Sequence, residues 1–178
     1  MGFKKEEERH LLLKLWDLIN KADIVIAQNG DSFDIKVINN RLLVHKFTPP
    51  SPYKTIDTLK ILRKNFSFAS NKLDHVGQDL EEGRKVAHRG FDMWKGCLAG
   101  NKKDQNTMVK YNIGDVDLLV RIYKRIRAWH RNHPVIYMNE CPIDGGKLQR
   151  RGVLQTKFRR YARLCCTTCG AWTKRMID

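Results

Sequence analysis

The feature that most constrains this chain is a near-continuous apolar run, Asp23-Ile24-Val25-Ile26-Ala27-Gln28. A short run of that kind reads as a strand buried on both faces, as strands covered by helices are. The turn Asn29-Gly30-Asp31 closes it. On either side the period becomes helical. Leu11, Leu12, Leu15, Trp16, Leu18 and Ile19 predict a core-facing helix over 5–21, and Phe33, Val37, Ile38, Leu42 and Leu43 predict another over 33–46. Thr48-Pro49-Pro50-Ser51-Pro52 reads as a stiff loop. A short strand at 53–58 and helical segments at 58–65 and 70–80 follow. Residues 81–104 read mostly as loop, with a short helix near Phe91 to Trp94, and the longest helix runs from 104 to 130 until His133-Pro134 ends it. The order predicts an α/β fold. Two strands make a sheet too small to be stable alone, so the strand at 23–28 is expected to present an unpaired apolar edge.

The 178 residues hold one domain of ordinary size plus a small module. Lys and Arg number 34 against 19 Asp and Glu, a formal charge of +15. That surplus points to a polyanion partner, nucleic acid being the usual one, with a merely solubilising surface as the bland alternative. No apolar run reaches the length of a membrane span, and the charged N-terminus lacks the apolar core of a signal peptide, so a cytoplasmic protein is expected.

Two acidic motifs stand apart in the sequence. Asp34 follows the strand end, where open α/β sheets place their sites. Asp115 lies one helical turn after Tyr111, so both side chains share a face. Carboxylates converging from separate elements are what paired divalent cations need for phosphodiester hydrolysis. Singly, each has an ordinary reading: Asp34 as a helix cap, Asp115 and Asp117 as solvated helix charges, Tyr111 as a core aromatic.

Together these residues resemble the later part of a DEDD-type 3′–5′ exonuclease domain, ribonuclease H-like in fold. Residues 1–132 are similar to the proofreading domain of family B DNA polymerases and to stand-alone phage and bacterial relatives. The second motif of that family, Asn-x2–3-Phe/Tyr-Asp, is matched by Asn29, Phe33 and Asp34. The third, Tyr-x3-Asp, is matched by Tyr111 and Asp115 and belongs to the Tyr-bearing subgroup. The resemblance implies that Asp34 and Asp115 bind Mg²⁺ or Mn²⁺ and that Tyr111 positions the attacking water. Asn29 and Phe33, with Ser70 and Asn71, would contact the substrate strand, although Ser70 and Asn71 also read as a cap for the next helix. The substrate is expected to be DNA rather than RNA. The first motif, an Asp-x-Glu on the first strand, is not matched on any early strand, and Glu6-Glu7-Glu8 precedes a helix instead. The resemblance therefore predicts a partial fold lacking its first three strands. A late start codon, a split gene with another polypeptide supplying the strands, or decay would each account for that, and a truncated or split gene is preferred because the downstream motifs are intact. An inactive nucleic-acid-binding protein, or a subunit docking on a replication protein, remain the alternatives.

The domain is expected to end at 134 and a β module to occupy 135–178. There Cys141-Pro142-Ile143-Asp144-Gly145 and Cys166-Thr167-Thr168-Cys169-Gly170 resemble the two knuckles of a zinc ribbon, with two short strands between them. Asp144 stands where Cys is expected. It can ligate Zn²⁺ through oxygen, or Cys165 can swing in; otherwise Cys165 is a buried strand residue. Nine Lys and Arg follow Cys141, among them Arg150, Arg151, Arg159 and Arg160. Lining one face with Phe158, Tyr161 and Trp172, they would hold phosphates while the aromatics stack on bases.

Overall fold

The computed structural model describes residues 5–87, 89–130, 133 and 140–177. The chain divides into two compact units, residues 1–120 and 121–178, and the division falls inside its longest helix. The predicted boundary at 134 lies outside the described residues.

The first unit opens with helix α1 (Lys5–Asn20), strand β1 (Ile24–Ala27) and helix α2 (Asp34–Val44). Strand β2 (Lys54–Asp57) then leads without a loop into helix α3 (Thr58–Asn65). Helices α4 (Leu73–Asp79) and α5 (Phe91–Leu98) and the long α6 (Lys102–Ile126) complete the helical set. β1 and β2 pair in parallel from Ile24 opposite Lys54 to Ala27 opposite Asp57, which puts both C-terminal ends at one edge. A crossover through a helix is how such pairs are joined, and α2 lies between the two strands in the chain. Leu62, Val76, Met93 and Leu118 are the most deeply buried apolar side chains of this unit. At about 1.5–3 kcal/mol for each fully buried side chain, they hold α3, α4, α5 and α6 in one core.

Two expected core faces are not covered. In α1 only Leu12 and Ile19 are buried, while Leu11 and Leu18 face outward. In α2 only Leu42 is buried, and Phe33, Val37 and Leu43 are exposed, Leu43 by 75%. The helical periods were correct and the assumption that each apolar stripe finds a partner was not. Among the described residues β1 pairs on one side alone, with β2, and Ile26 remains partly exposed.

The second unit carries a 3₁₀ turn (Arg127–Trp129) and three antiparallel strands, β3 (Leu148–Gln155), β4 (Arg160–Cys166) and β5 (Trp172–Ile177), in that spatial order. Sequence patterning predicts two strands between the knuckles. The third, β5, follows the second knuckle and pairs with β4 from Cys165 opposite Trp172 to Arg160 opposite Ile177. A bulge between Arg150 and Val153 shifts the β3–β4 register, with Gly152 at φ 129° taking the conformation that bulges ask of glycine.

Candidate functional sites

In the first unit the local structure is organised by one buried carboxylate. Asp57 caps α3 by accepting the Leu59 N–H at 3.0 Å, and the same oxygen accepts the Asn29 N–H at 2.9 Å. Asn29 turns the chain at φ 61°, a conformation that Asn tolerates. Gly30 is required next, because a Cβ there would stand 2.4 Å from the Ala27 Cβ. The turn thus delivers Phe33 and Asp34 to the start of α2 from a fixed point at the strand ends. Phe33 occupies the capping position without a side-chain bond, and Asp34 is the first helical residue, exposed. The capping reading of Asp34 is therefore set aside.

A cavity of about 880 Å³ opens at these strand ends. Its wall includes Gln28, Asn29, Asp34, Ser70, Asn71, Asp74, Lys85 and Asp115. The structure thus gathers Asn29, Asp34, Ser70, Asn71 and Asp115 around one cavity from three separate stretches of chain. Phe33 and Tyr111 are not part of its wall, but Tyr111 is tied to it through Lys85. Lys85 Nζ donates to Asp115 Oδ2 at 2.6 Å and to the Tyr111 hydroxyl at 3.1 Å. Burial works to lower the Lys85 pKa, but the Asp115 and Tyr111 acceptors outweigh it and raise it above the usual lysine value. The second Asp115 oxygen is buried and has no partner. Asn71 Oδ1 is likewise buried and unpaired, while its carbonyl accepts from Gln28 at 2.9 Å. Ser70 Oγ accepts the Lys72 N–H at 3.3 Å, a turn ahead of α4 rather than a cap, because Lys72 is itself the capping position and α4 has no side-chain cap bond.

Four residues of this wall escape motif reading. Lys85 lies in a segment without periodicity, yet the structure fixes it. Asp74 Oδ1 accepts the Lys85 backbone N–H at 2.7 Å, and Gln78 holds the other Asp74 oxygen at 2.7 Å. Gly114 lets the segment pass over α6, since a Cβ there would meet Val86 at 3.0 Å. Arg63 and Lys72 add exposed positive charge to the wall. A Lys followed much later by Tyr-x3-Asp was the available signal.

The first family motif is not replaced by anything nearby. An Asp-x-Glu does occur, Asp79-Leu80-Glu81, but at the end of α4, with Asp79 lying 3.2 Å from the His75 ring and Glu81 in a turn at φ 59°. It is not on a strand and does not line the cavity. Glu8 is committed elsewhere: it accepts two Arg41 bonds of 2.6 Å and lies 3.1 Å from the buried His45 ring. For a divalent cation the cavity therefore offers Asp34, the unpaired Asp115 oxygen and the Asn71 oxygen, a hard-oxygen donor set that suits Mg²⁺ or Mn²⁺.

The second unit has a different cluster. Ligand atoms of Cys141, Asp144, Cys166 and Cys169 all lie within 4.8 Å of one another. The two knuckles share one geometry. Gly145 N–H bonds the Cys141 carbonyl at 2.9 Å and Gly170 N–H bonds the Cys166 carbonyl at 3.1 Å, both glycines at φ 72°. Backbone N–H groups of Ile143, Thr168 and Cys169 point at the Cys141 and Cys166 sulfurs at 3.3–3.5 Å. Gly146 is needed because a Cβ there would sit 2.8 Å from the Cys166 sulfur. Asp144 Oδ2 is buried and unpaired. Burial pushes the Cys169 thiol up to about 12 and raises Cys141. Burial also opposes ionisation of Cys166 and Asp144, but the Cys169 and Thr168 N–H groups lower the Cys166 pKa, and the Gly146 N–H with the thiols brings Asp144 to about 2. Cys165 is half-buried on the strand face opposite Cys166, its sulfur bonded to the Gly170 carbonyl at 3.7 Å, so it neither belongs to the core nor joins the cluster.

A family model described as the RNase H superfamily matches residues 1–127. The chain belongs to the RNase H superfamily. Comparison with curated proteins and with solved structures gives no match. Membership of the RNase H superfamily suggests nuclease chemistry on nucleic acid, for which such enzymes usually use divalent cations. The match covers the elements that build the cavity and stops short of the Cys–Asp cluster. Among the described residues no helix is long and apolar enough to cross a membrane.

Proposed function

We propose that the chain is a metal-dependent 3′–5′ exonuclease of the RNase H superfamily acting on DNA. The observation that carries this reading is the convergence of Asn29, Asp34, Asn71, Lys85 and Asp115 on one cavity at the C-terminal ends of two parallel strands. Asp34 and Asp115 would hold Mg²⁺ or Mn²⁺, which when bound supplies Lewis-acid activation of water and of the scissile phosphate. Asn29 and Asn71 offer amide donors to the substrate strand, and Arg63 and Lys72 offer charge to its phosphates. Tyr111, held at 3.1 Å from Lys85, presents its hydroxyl for orienting water. Lys85 pairs with Asp115 at 2.6 Å, and its ammonium can share its proton with an oxyanion leaving the site.

Of the three cavity carboxylates Asp74 is committed to Lys85 and Gln78, and Asp34 and Asp115 alone fall short of the several that a two-cation site uses. A further pair is therefore assigned to an Asp-x-Glu strand supplied from outside the described residues, pairing with the open side of β1. The Cys–Asp cluster would hold Zn²⁺, with Asp144 rather than Cys165 as its fourth ligand. Its role is to fix a ribbon whose cations Arg150, Arg151, Arg159 and Arg160 contact phosphates.

The test incubates the purified chain with Mn²⁺, 5′-labelled single-stranded DNA and a polypeptide carrying the Asp-x-Glu strand. Stepwise shortening from the 3′ end, lost in Asp34→Ala and Asp115→Ala, is expected. Shortening that survives those substitutions, or none in the completed assembly, would overturn the reading.

A further inference from the structure

The cationic residues of the second unit do not share one face, and how they divide has a consequence. Direct partners in antiparallel strands lie on the same face, and residues alternate along each strand. One face of the sheet carries Ala162, Leu164 and Cys166 of β4, all buried, with Arg160 and Arg150 at its margins. The opposite face is built of three cross-strand rungs: Leu154–Tyr161–Met176, Arg163–Lys174 and Gln149–Cys165–Trp172. Here Trp172 and Met176 are each 51% exposed, and Arg163 and Lys174 are exposed as well. Tyr161 and Arg160, adjacent in sequence and read together as one contact, therefore point to opposite sides.

On the open face each ring has a cation. Lys174 Nζ lies 4.7 Å from the Tyr161 ring centre, and the Arg163 guanidinium carbon lies 5.0 Å from that of Trp172. No Asp or Glu occurs between Lys147 and Ile177, so these cations have no carboxylate partner within the sheet. Tyr161 and Cys165 are separated by about 13 Å along β4 at ordinary strand rise, and Trp172 flanks Cys165. The two rings thus bracket the Arg163–Lys174 rung.

We infer that this face, through Tyr161, Arg163, Trp172 and Lys174, is a stacking platform for single-stranded nucleic acid. Bases lie on the two rings and on the Arg163 plane, and the strand's phosphates meet Lys174 and Arg163. A duplex buries its base faces and cannot use the rings, so a single strand is the fitting occupant. An acidic peptide would satisfy the cations but leave the rings unused. The platform rests on the reading of the chain as a nucleic-acid enzyme, and adds the form of substrate it holds.

The test measures binding of full-length Asp34→Ala protein to fluorescent oligo(dT), oligo(rU) and a duplex of equal length by anisotropy, across a salt titration. The platform predicts preference for both single strands over the duplex. Trp172→Ala should weaken single-strand binding about ten-fold or more with little change in salt slope. Lys174→Gln and Arg163→Gln should each weaken it and flatten the slope by about 0.7. Trp172→Phe, which keeps a ring, should recover most of the affinity and controls for folding. Single-strand binding unchanged by Trp172→Ala, or equal binding of duplex, overturns the platform while leaving the nuclease reading intact. Absence of any nucleic-acid binding overturns both.

Discussion

The two units set opposite problems for a metal. In the first, the donors are oxygens drawn from Asp34, Asn71 and Asp115, spread over most of the unit and positioned by capping, a parallel strand pair and a glycine contact between a loop and α6. In the second, three sulfurs and a carboxylate come from two five-residue knuckles, each closed by its own glycine. Hard oxygen donors around an open cavity suit a cation that keeps water and exchanges substrate. A closed thiolate cluster suits Zn²⁺ in a structural role. The first site depends on the fold, whereas in the second a metal held as proposed would in turn support the fold.

That contrast is broken most severely by removing the soft ligands. Cys166→Ser, or stripping metal with a strong chelator, should abolish the β-sheet signal of the second unit while the helical signal of the first persists, followed by circular dichroism. Survival of the sheet without metal would show that its hydrophobic contacts suffice.

The matching test in the first unit is smaller. Leu62→Ala should cost about 2–5 kcal/mol by denaturant titration, because Leu62 is fully buried among the helices. Asp57→Ala removes the α3 cap and the anchor of the Asn29 turn. It should cost about 1–2 kcal/mol and lower cavity-site cation affinity as well, whereas a purely local cap would leave that affinity unchanged.

Protonation sharpens the comparison further. Burial holds Cys169 and Cys141 neutral at neutral pH, so loading Zn²⁺ should release at least two protons, read by calorimetry in buffers of different ionisation heat. Lys85 gives the smallest effect. Its raised pKa means that its stabilising contribution is complete below the ordinary lysine value and is lost only as pH climbs through the raised one. The stability difference between wild type and Lys85→Met should therefore be flat across neutral pH and vanish only in strong alkali.

Much of this was legible in the sequence, because it is local. The apolar run, the Asn-Gly turn and the helical periods locate β1, α1 and α2, and the knuckle spacing locates the Cys–Asp cluster. Tertiary facts were not legible. Apolar periodicity marks the faces of α1 and α2 but cannot say that Leu18 and Leu43 stay uncovered. Lys85 has no motif of its own and reaches Asp115 only because Asp74 and Gly114 set the path of its loop. The split of the cations between two faces follows from strand register and the bulge before Val153, which composition does not encode.

The account rests most heavily on Asp34 and Asp115 holding one divalent cation in the cavity. Mn²⁺ titration followed by electron paramagnetic resonance, on wild type, Asp34→Asn, Asp115→Asn and Lys85→Met with the Cys–Asp cluster preloaded with Zn²⁺, addresses it directly. The account predicts one Mn²⁺ per chain, lost in both Asn variants and bound more tightly in Lys85→Met, where the competing ammonium is gone. Mn²⁺ binding indifferent to Asp34→Asn and Asp115→Asn, or no binding in any of the four, would contradict it.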